Sequence, residues 1–164
     1  MKFGRGFTVI ELAVVMAVIA ILVVVGTISF RSYQASARDK ERHSDVQAIS
    51  IYLENIYQRQ IFSGATLIKP AGSYPSAEVM NNSTYRKAVF VDLPISSTRN
   101  PASPVTNAFM VYAPTPSFDD KMYKYVPIVS GGGYCASISE ECRSYKIYYG
   151  TETESNKTVE SKRK

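Results

Sequence analysis

Residues 6–30 read GFTVIELAVVMAVIAILVVVGTISF, and the nineteen positions from Leu12 to Phe30 carry no charge. A helix of that length, rising about 1.5 Å per residue, covers nearly all of the ~30 Å hydrocarbon core of a bilayer, so the segment is long enough to cross a membrane. Lys2 and Arg5 precede it and only Arg31 follows closely. By the positive-inside tendency the short N-terminus stays in the cytoplasm and everything after Arg31 lies outside. Glu11 breaks the apolar stretch between Phe7 and Phe30. A carboxylate in a spanning helix costs about 2.5–3.5 kcal/mol on insertion scales, and such residues are functional by default. A passive anchor has no use for it, although Glu11 lies one turn beyond Phe7, near enough to the headgroups to snorkel.

The whole chain of 164 residues is 45% hydrophobic and 20% charged, the balance of a folded domain rather than a disordered one. Its mean hydropathy of -0.10 suggests a soluble protein, but the average hides an excess concentrated in the first thirty residues. Nineteen Lys and Arg against fourteen Asp and Glu leave a net charge of +5, and there are one histidine and two cysteines. Zinc and iron sites need several N or S ligands, so His-based metal chemistry and a Ser-His-Asp triad are close to excluded. No paired acids, activated nucleophile or phosphate loop stands out, and the expectation is that the protein is not an enzyme. Ordinary secretory cleavage has Ala35-Ser36-Ala37 in its favour. Against it stand an apolar run longer than the usual ~7–15 residues of a signal peptide, Arg31 and Tyr33 near the cut, and Glu11 inside the run.

Gly6-Phe7-Thr8-Val9-Ile10-Glu11, placed after the short basic leader Met1 to Gly6 and directly before the apolar run, resembles the type IV prepilin signature. The resemblance implies that a dedicated peptidase cuts between Gly6 and Phe7 and methylates the new α-amine of Phe7. It also implies that Glu11 matches the N-terminal amine of an adjacent subunit during assembly. The physics of that pairing stands on its own. A new cation at a helix N-terminus is disfavoured by the helix dipole, and a buried charge left without its partner costs about 3–5 kcal/mol, so the pair acts as a register device.

The same resemblance implies a structural subunit of a homo-oligomeric helical filament, with the apolar half of the helix as its core and the globular part as its coat. The implied partners are the prepilin peptidase, the pilus assembly platform and minor pilins. The implied location is the cytoplasmic membrane before assembly and the cell surface afterwards, in a fibre for attachment, twitching motility or DNA uptake. Two alternatives stay open. One is a pseudopilin of a type II secretion or competence system; the other is a non-polymerising, membrane-anchored binding domain, against which Glu11 and the Gly6-Phe7 junction argue.

Beyond the leader (1–6) and the transmembrane, filament-core segment (7–30), residues 31–62 read as the amphipathic half of the same helix. No proline precedes Pro70, and Gly26 is the lone glycine between Phe7 and Gly64, so one helix from about Phe7 to about Ile61 is allowed. Type IV pilins often carry a glycine and a proline in the apolar half where the helix can unwind; here any such melting is displaced toward Gly26. Val46, Ile49, Leu53 and Ile56 fall at helical spacing, joined by Tyr52 and Tyr57, while Asp39, Lys40, Glu41, Arg42, Asp45 and Glu54 cover the other face. Residues 63–150 read as a β-sheet region with candidate strands Ala88–Leu93, Ala108–Ala113, Met122–Val129 and Ser144–Tyr149, arranged as an antiparallel meander. The fold class is α+β: a long N-terminal helix packed on a C-terminal antiparallel sheet, as in the pilin roll. Residues 151–164 are polar and read as a disordered tail, whose basic end gives only a weak footprint for nucleic acid.

Cys135 and Cys142 close an eight-residue loop, and outside the cytoplasm a disulfide is favoured. Pilins frequently carry such a bridge near the C-terminus. The twelve tyrosines read mainly as strand packing rather than as an adhesive surface. No cofactor is expected. Asp119-Asp120 and Glu140-Glu141 are oxygen donors of the kind that hold calcium in major pseudopilins, but solvated turn charges are the simpler reading.

Overall fold

The first and longest element of the computed structural model is helix α1, Val9–Ile56. The description covers residues 8–107, 109–111, 118 and 122–163. The chain divides into two compact units, Met1–Ala37 and Arg38–Lys164, and α1 contributes to both. In the first unit no described side chain of α1 is buried: Val9 is 84% and Ile21 65% exposed. This is the helix that is long and apolar enough to cross a membrane. Gly26 lies within it.

In the second unit the stripe Val46, Ile49, Leu53 and Ile56 is buried, as its spacing predicts. The helix stops at Ile56 rather than near Ile61. There the chain turns into a hairpin of β1 (Ile61–Ser63) and β2 (Thr66–Lys69), with Gly64 at φ +62° supplying the left-handed backbone of the turn. Lys69 braces the turn that follows. Its side chain is buried, and its Nζ donates to the carbonyls of Tyr57 (3.0 Å), Arg59 (2.7 Å) and Pro70 (3.0 Å), tying the end of β2 to the chain just past the helix. Burial, with the Arg59 charge, pulls the Lys69 ammonium down to about 8.

Two short helices follow, α2 (Ala77–Asn81) and α3 (Ser83–Val89), then a single 3-10 turn at Ile95–Thr98. The Ala88–Leu93 strand is therefore corrected. Asn82 caps α3 by accepting from Thr84 N and Tyr85 N, Val89 is buried at its end, and Phe90 packs edge-on against Phe109 at 5.2 Å. A helix cap and one inward residue override the apparent alternation, and Val91 is left exposed.

Strands β3 (Arg99–Asn100) and β4 (Ser103–Asn107) form a small antiparallel pair. The main sheet has four strands in the order β5 (Phe109–Val111), β6 (Tyr123–Val129), β7 (Cys142–Tyr149) and β8 (Lys157–Glu160). Three of the four expected strands thus have counterparts, although Ala108 and residues 112–113 of the second lie outside the described residues. The meander reading needs two corrections. Strand β5 runs parallel to β6, while the β6–β7 and β7–β8 pairs are antiparallel. The fourth strand comes from the tail that had read as disordered: Val159 pairs with Ile147, and alternate residues of β8 face the protein. A strand with one apolar contact can be held largely by its ladder, so low hydrophobicity did not keep it disordered.

The core between the second half of α1 and the sheet is a run of rings. Tyr57 lies 4.7 Å from Tyr74, Tyr74 4.7 Å from Tyr145, Tyr145 5.7 Å from Tyr125, and Tyr125 5.8 Å from Phe109. Each buried phenol needs a partner. Tyr125 Oη donates to the Pro75 carbonyl, Tyr74 Oη to Glu54, and Tyr145 Oη meets Ser50 Oγ. These tyrosines are packing residues.

Candidate assembly site

Thr8 stands immediately before the first turn of α1, and its hydroxyl accepts the Glu11 N–H at 3.2 Å. The Glu11 carboxylate reaches back, its Oε2 accepting the Thr8 N–H at 2.8 Å and the Thr8 hydroxyl at 2.9 Å. This reciprocal arrangement is a capping box, which satisfies two of the donors that a helix start leaves open. The Thr-x-x-Glu spacing carries that meaning in the sequence, and the reading of Glu11 as a charge waiting for a cation passed over it. The carboxylate also sits at the positive end of the helix dipole, which favours negative charge there. Glu11 therefore has a partner inside its own chain. Gly6 and Phe7 lie outside the described residues.

Further along α1, at the start of the second unit, Arg38, Asp39 and Arg42 meet the loop between β7 and β8. Asp39 Oδ1 accepts from Arg42 at 2.6 Å and from Glu152 N at 2.9 Å, while its Oδ2 accepts from Thr153 N at 2.8 Å and Thr153 Oγ1 at 2.7 Å. Glu152 in turn takes Arg42 at 2.7 Å and Arg38 at 2.5 Å. The expected solvated face is corrected here, because Asp39 and Arg42 are buried. The β7–β8 loop covers them, and nothing near them in sequence announces a partner more than a hundred positions away. Hydrogen bonds from Arg38, aided by Arg42, hold the Glu152 carboxyl down at about 2. Burial alone would raise Asp39, but hydrogen bonds from Thr153, the Glu152 N–H and Arg42 outweigh it and keep the carboxyl below its ordinary value. Arg42 Nε is buried without a hydrogen-bond partner among the described residues.

One turn on, Tyr123 Oη donates to Asp45 Oδ2 at 2.9 Å, yet burial pushes Asp45 up to about 6. Glu54 gathers the C-terminal strap. Its Oε1 accepts from Tyr74 Oη (2.8 Å) and Lys162 N (3.0 Å), its Oε2 lies 3.4 Å from Arg163 Nε, and the Arg163 guanidinium covers the Tyr57 ring at 4.6 Å. Part of the basic end of the chain is thereby engaged within the fold.

Cys135 and Cys142 are joined, with Cα atoms 5.6 Å apart. Glu140 braces the loop from inside by accepting Ala136 N and Ser137 N, Glu78 of α2 accepts Ile138 N at 3.0 Å, and Glu141 pairs with Arg143. Both loop acids therefore have local roles. Asp119 and Asp120 lie outside the described residues, among which no three His, Cys, Asp or Glu side chains come together as a metal would require.

Neither a curated protein nor a solved structure matches the chain. Residues 1–27 match a family model described as the prokaryotic N-terminal methylation motif. That span takes in Gly6, Phe7, the Thr8–Glu11 capping box and most of the exposed apolar segment. The chain thus matches, ahead of and into a helix long enough to cross a membrane, the N-terminal methylation motif that marks the class III leader of type IV pilins, a match that supports a pilin-like or pseudopilin precursor.

Proposed function

We propose that the protein is a structural subunit of a type IV pilus filament, cut by a prepilin peptidase between Gly6 and Phe7, N-methylated on Phe7, and assembled through α1. The observation that carries this reading is the exposed apolar surface of α1 with a lone carboxylate, Glu11, at its head. After cleavage the new α-amine is one residue from the Thr8 N–H that Glu11 accepts. In a bundle of such helices a neighbour's amine replaces water around the carboxylate, and the two charges leave solvent as a pair. The body from Arg38 onward forms the outer coat, the membrane holds the subunit before extraction, and the assembly platform and minor pilins are its partners. The work is structural rather than enzymatic, and the fibre serves attachment, motility or DNA uptake.

Intact-mass and N-terminal analysis of fibre protein tests this. The expected product has 158 residues, the 164 of the full chain less the six of Met1 to Gly6, and begins with methylated Phe7. Loss of Lys2 and Arg5 takes the formal side-chain charge from +5 to +3. Gly6→Val should block the cut. A chain that begins at Arg38, or one that stays uncleaved and monomeric in the membrane, defeats the proposal.

A further inference from the structure

We propose that Asn156 is the acceptor of an N-linked glycan. Three Asn-x-Ser/Thr triplets occur in the chain, at Asn81, Asn82 and Asn156. This triplet is the acceptor signal for N-glycosylation in surface loops of exported proteins, because the hydroxyl two residues on takes part in recognising the amide. The structure separates the three. Asn81 is the last residue of α2, and Asn82 uses its side-chain oxygen to cap α3. To present either amide to a transferase would require unwinding a helix or giving up a cap. Asn156 sits in the exposed turn between β7 and β8, and neither its amide nor the Thr158 hydroxyl has a hydrogen-bond partner among the described residues. The turn is shaped upstream of it, where Thr151 Oγ1 donates to the carbonyl of Glu154 at 2.6 Å.

The residues after Asn156 form β8, which pairs with β7 along one side and ends the sheet. An edge strand of four residues, paired along one side only, can be drawn off its neighbour more cheaply than a central one, giving a transferase the extended backbone it must bind. Lys157, at the middle position of the triplet, is compatible with the signal, which excludes only proline there.

The chemistry balances with one co-reactant, a membrane lipid carrying an oligosaccharide through a diphosphate. The Asn156 amide nitrogen forms a bond to the anomeric carbon, the bond from that carbon to the diphosphate oxygen breaks, and the amide loses one proton as the lipid diphosphate departs. Attachment beside β8 places the sugar at an exposed turn of the second unit. The inference rests on the reading that the body lies outside the cytoplasm.

The test is peptide mapping of the protein purified from its native cells, with the oxidation state of Cys135 and Cys142 measured in the same sample. A hexose-bearing mass increment on Asn156 is expected. It should vanish in Asn156→Gln and Thr158→Ala, and persist in Thr158→Ser and Asn82→Gln. Bare Asn156 in chains whose cysteines are joined overturns this proposal and leaves the placement of the body intact. Bare Asn156 in chains with free thiols overturns both. An increment that survives Asn156→Gln also overturns it.

Discussion

The two halves of α1 handle charge in opposite ways. Upstream, apolar side chains stand exposed and a single acid, Glu11, is held, among the described residues, by Thr8 at an exposed helix start. Downstream, the stripe Val46, Ile49, Leu53 and Ile56 is fully buried and some charged side chains go under with it: Asp39, Arg42 and, beyond the helix, Lys69, each bonded to groups of the same chain. Burying an ion is tolerable only when its partners come with it. The downstream half meets that condition inside one polypeptide. The upstream half stays exposed and buries no ion within the described residues, and under the proposed assembly it is a neighbour's helix that would supply the missing partners.

The strongest way to break this comparison is to remove the upstream charge. Glu11→Val, expressed without wild-type copies, should insert into the membrane as well as or better than the native chain and be cleaved normally, yet vanish from sheared fibres. Glu11→Asp, one methylene shorter, should be intermediate. Thr8→Val is the control, since it costs about 1 kcal/mol of capping but keeps the charge, and its fibres should persist. Normal fibre yield from Glu11→Val would leave snorkelling and capping as the whole account of that residue.

Downstream, Arg42→Met leaves the buried Asp39 without its cation, while Glu152 keeps Arg38. Unfolding of the detergent-solubilised chain should show a loss of about 3–5 kcal/mol. A loss below about 1 kcal/mol would mean water reaches the network and that it behaves as a surface pair. Next in size comes Cys142→Ser, which should cost roughly 2–3 kcal/mol by the loop-entropy argument for eight residues, with cleavage at Gly6 unaffected. Free thiols in protein from native fibres would contradict a stabilising bridge.

The smallest effects are in pH, and their signs differ within the second unit. Glu152 is held at about 2 against an ordinary 4.5, so its contribution is full above 4.5 and is lost as the pH falls through about 2. Asp45, raised from 3.8 to about 6, contributes in the opposite sense: its favourable term is present below 3.8 and is lost as the pH rises through about 6. Glu152→Gln should therefore flatten the acid limb of the stability profile, and Asp45→Asn should flatten the decline between pH 4 and 6. Melting temperatures across pH 2–8 decide both. A wild-type limb retained in either variant would remove that residue from the account.

What could be read from the chain alone is what depends on near neighbours. The length of the Leu12–Phe30 run, the Gly6-to-Glu11 spacing, the 3.6-residue rhythm of Val46, Ile49, Leu53 and Ile56, and the closeness of Cys135 to Cys142 are all local, and local pattern is enough to give an α+β chain with a membrane-length helix and a prepilin-type leader. The Thr8–Glu11 capping box was equally legible there. Tertiary structure decided the rest, because each remaining feature depends on a partner distant in sequence. Asp39 and Arg42 look solvated until Glu152 and Thr153 arrive, Lys69 has no signal of burial until the turn after α1 offers it the Tyr57 and Arg59 carbonyls, and Lys157–Glu160 looks like a loose tail until β7 presents an edge to it. A buried charge and an edge strand are both stabilised by groups that hydrophobic periodicity does not report, so only the folded chain could place them.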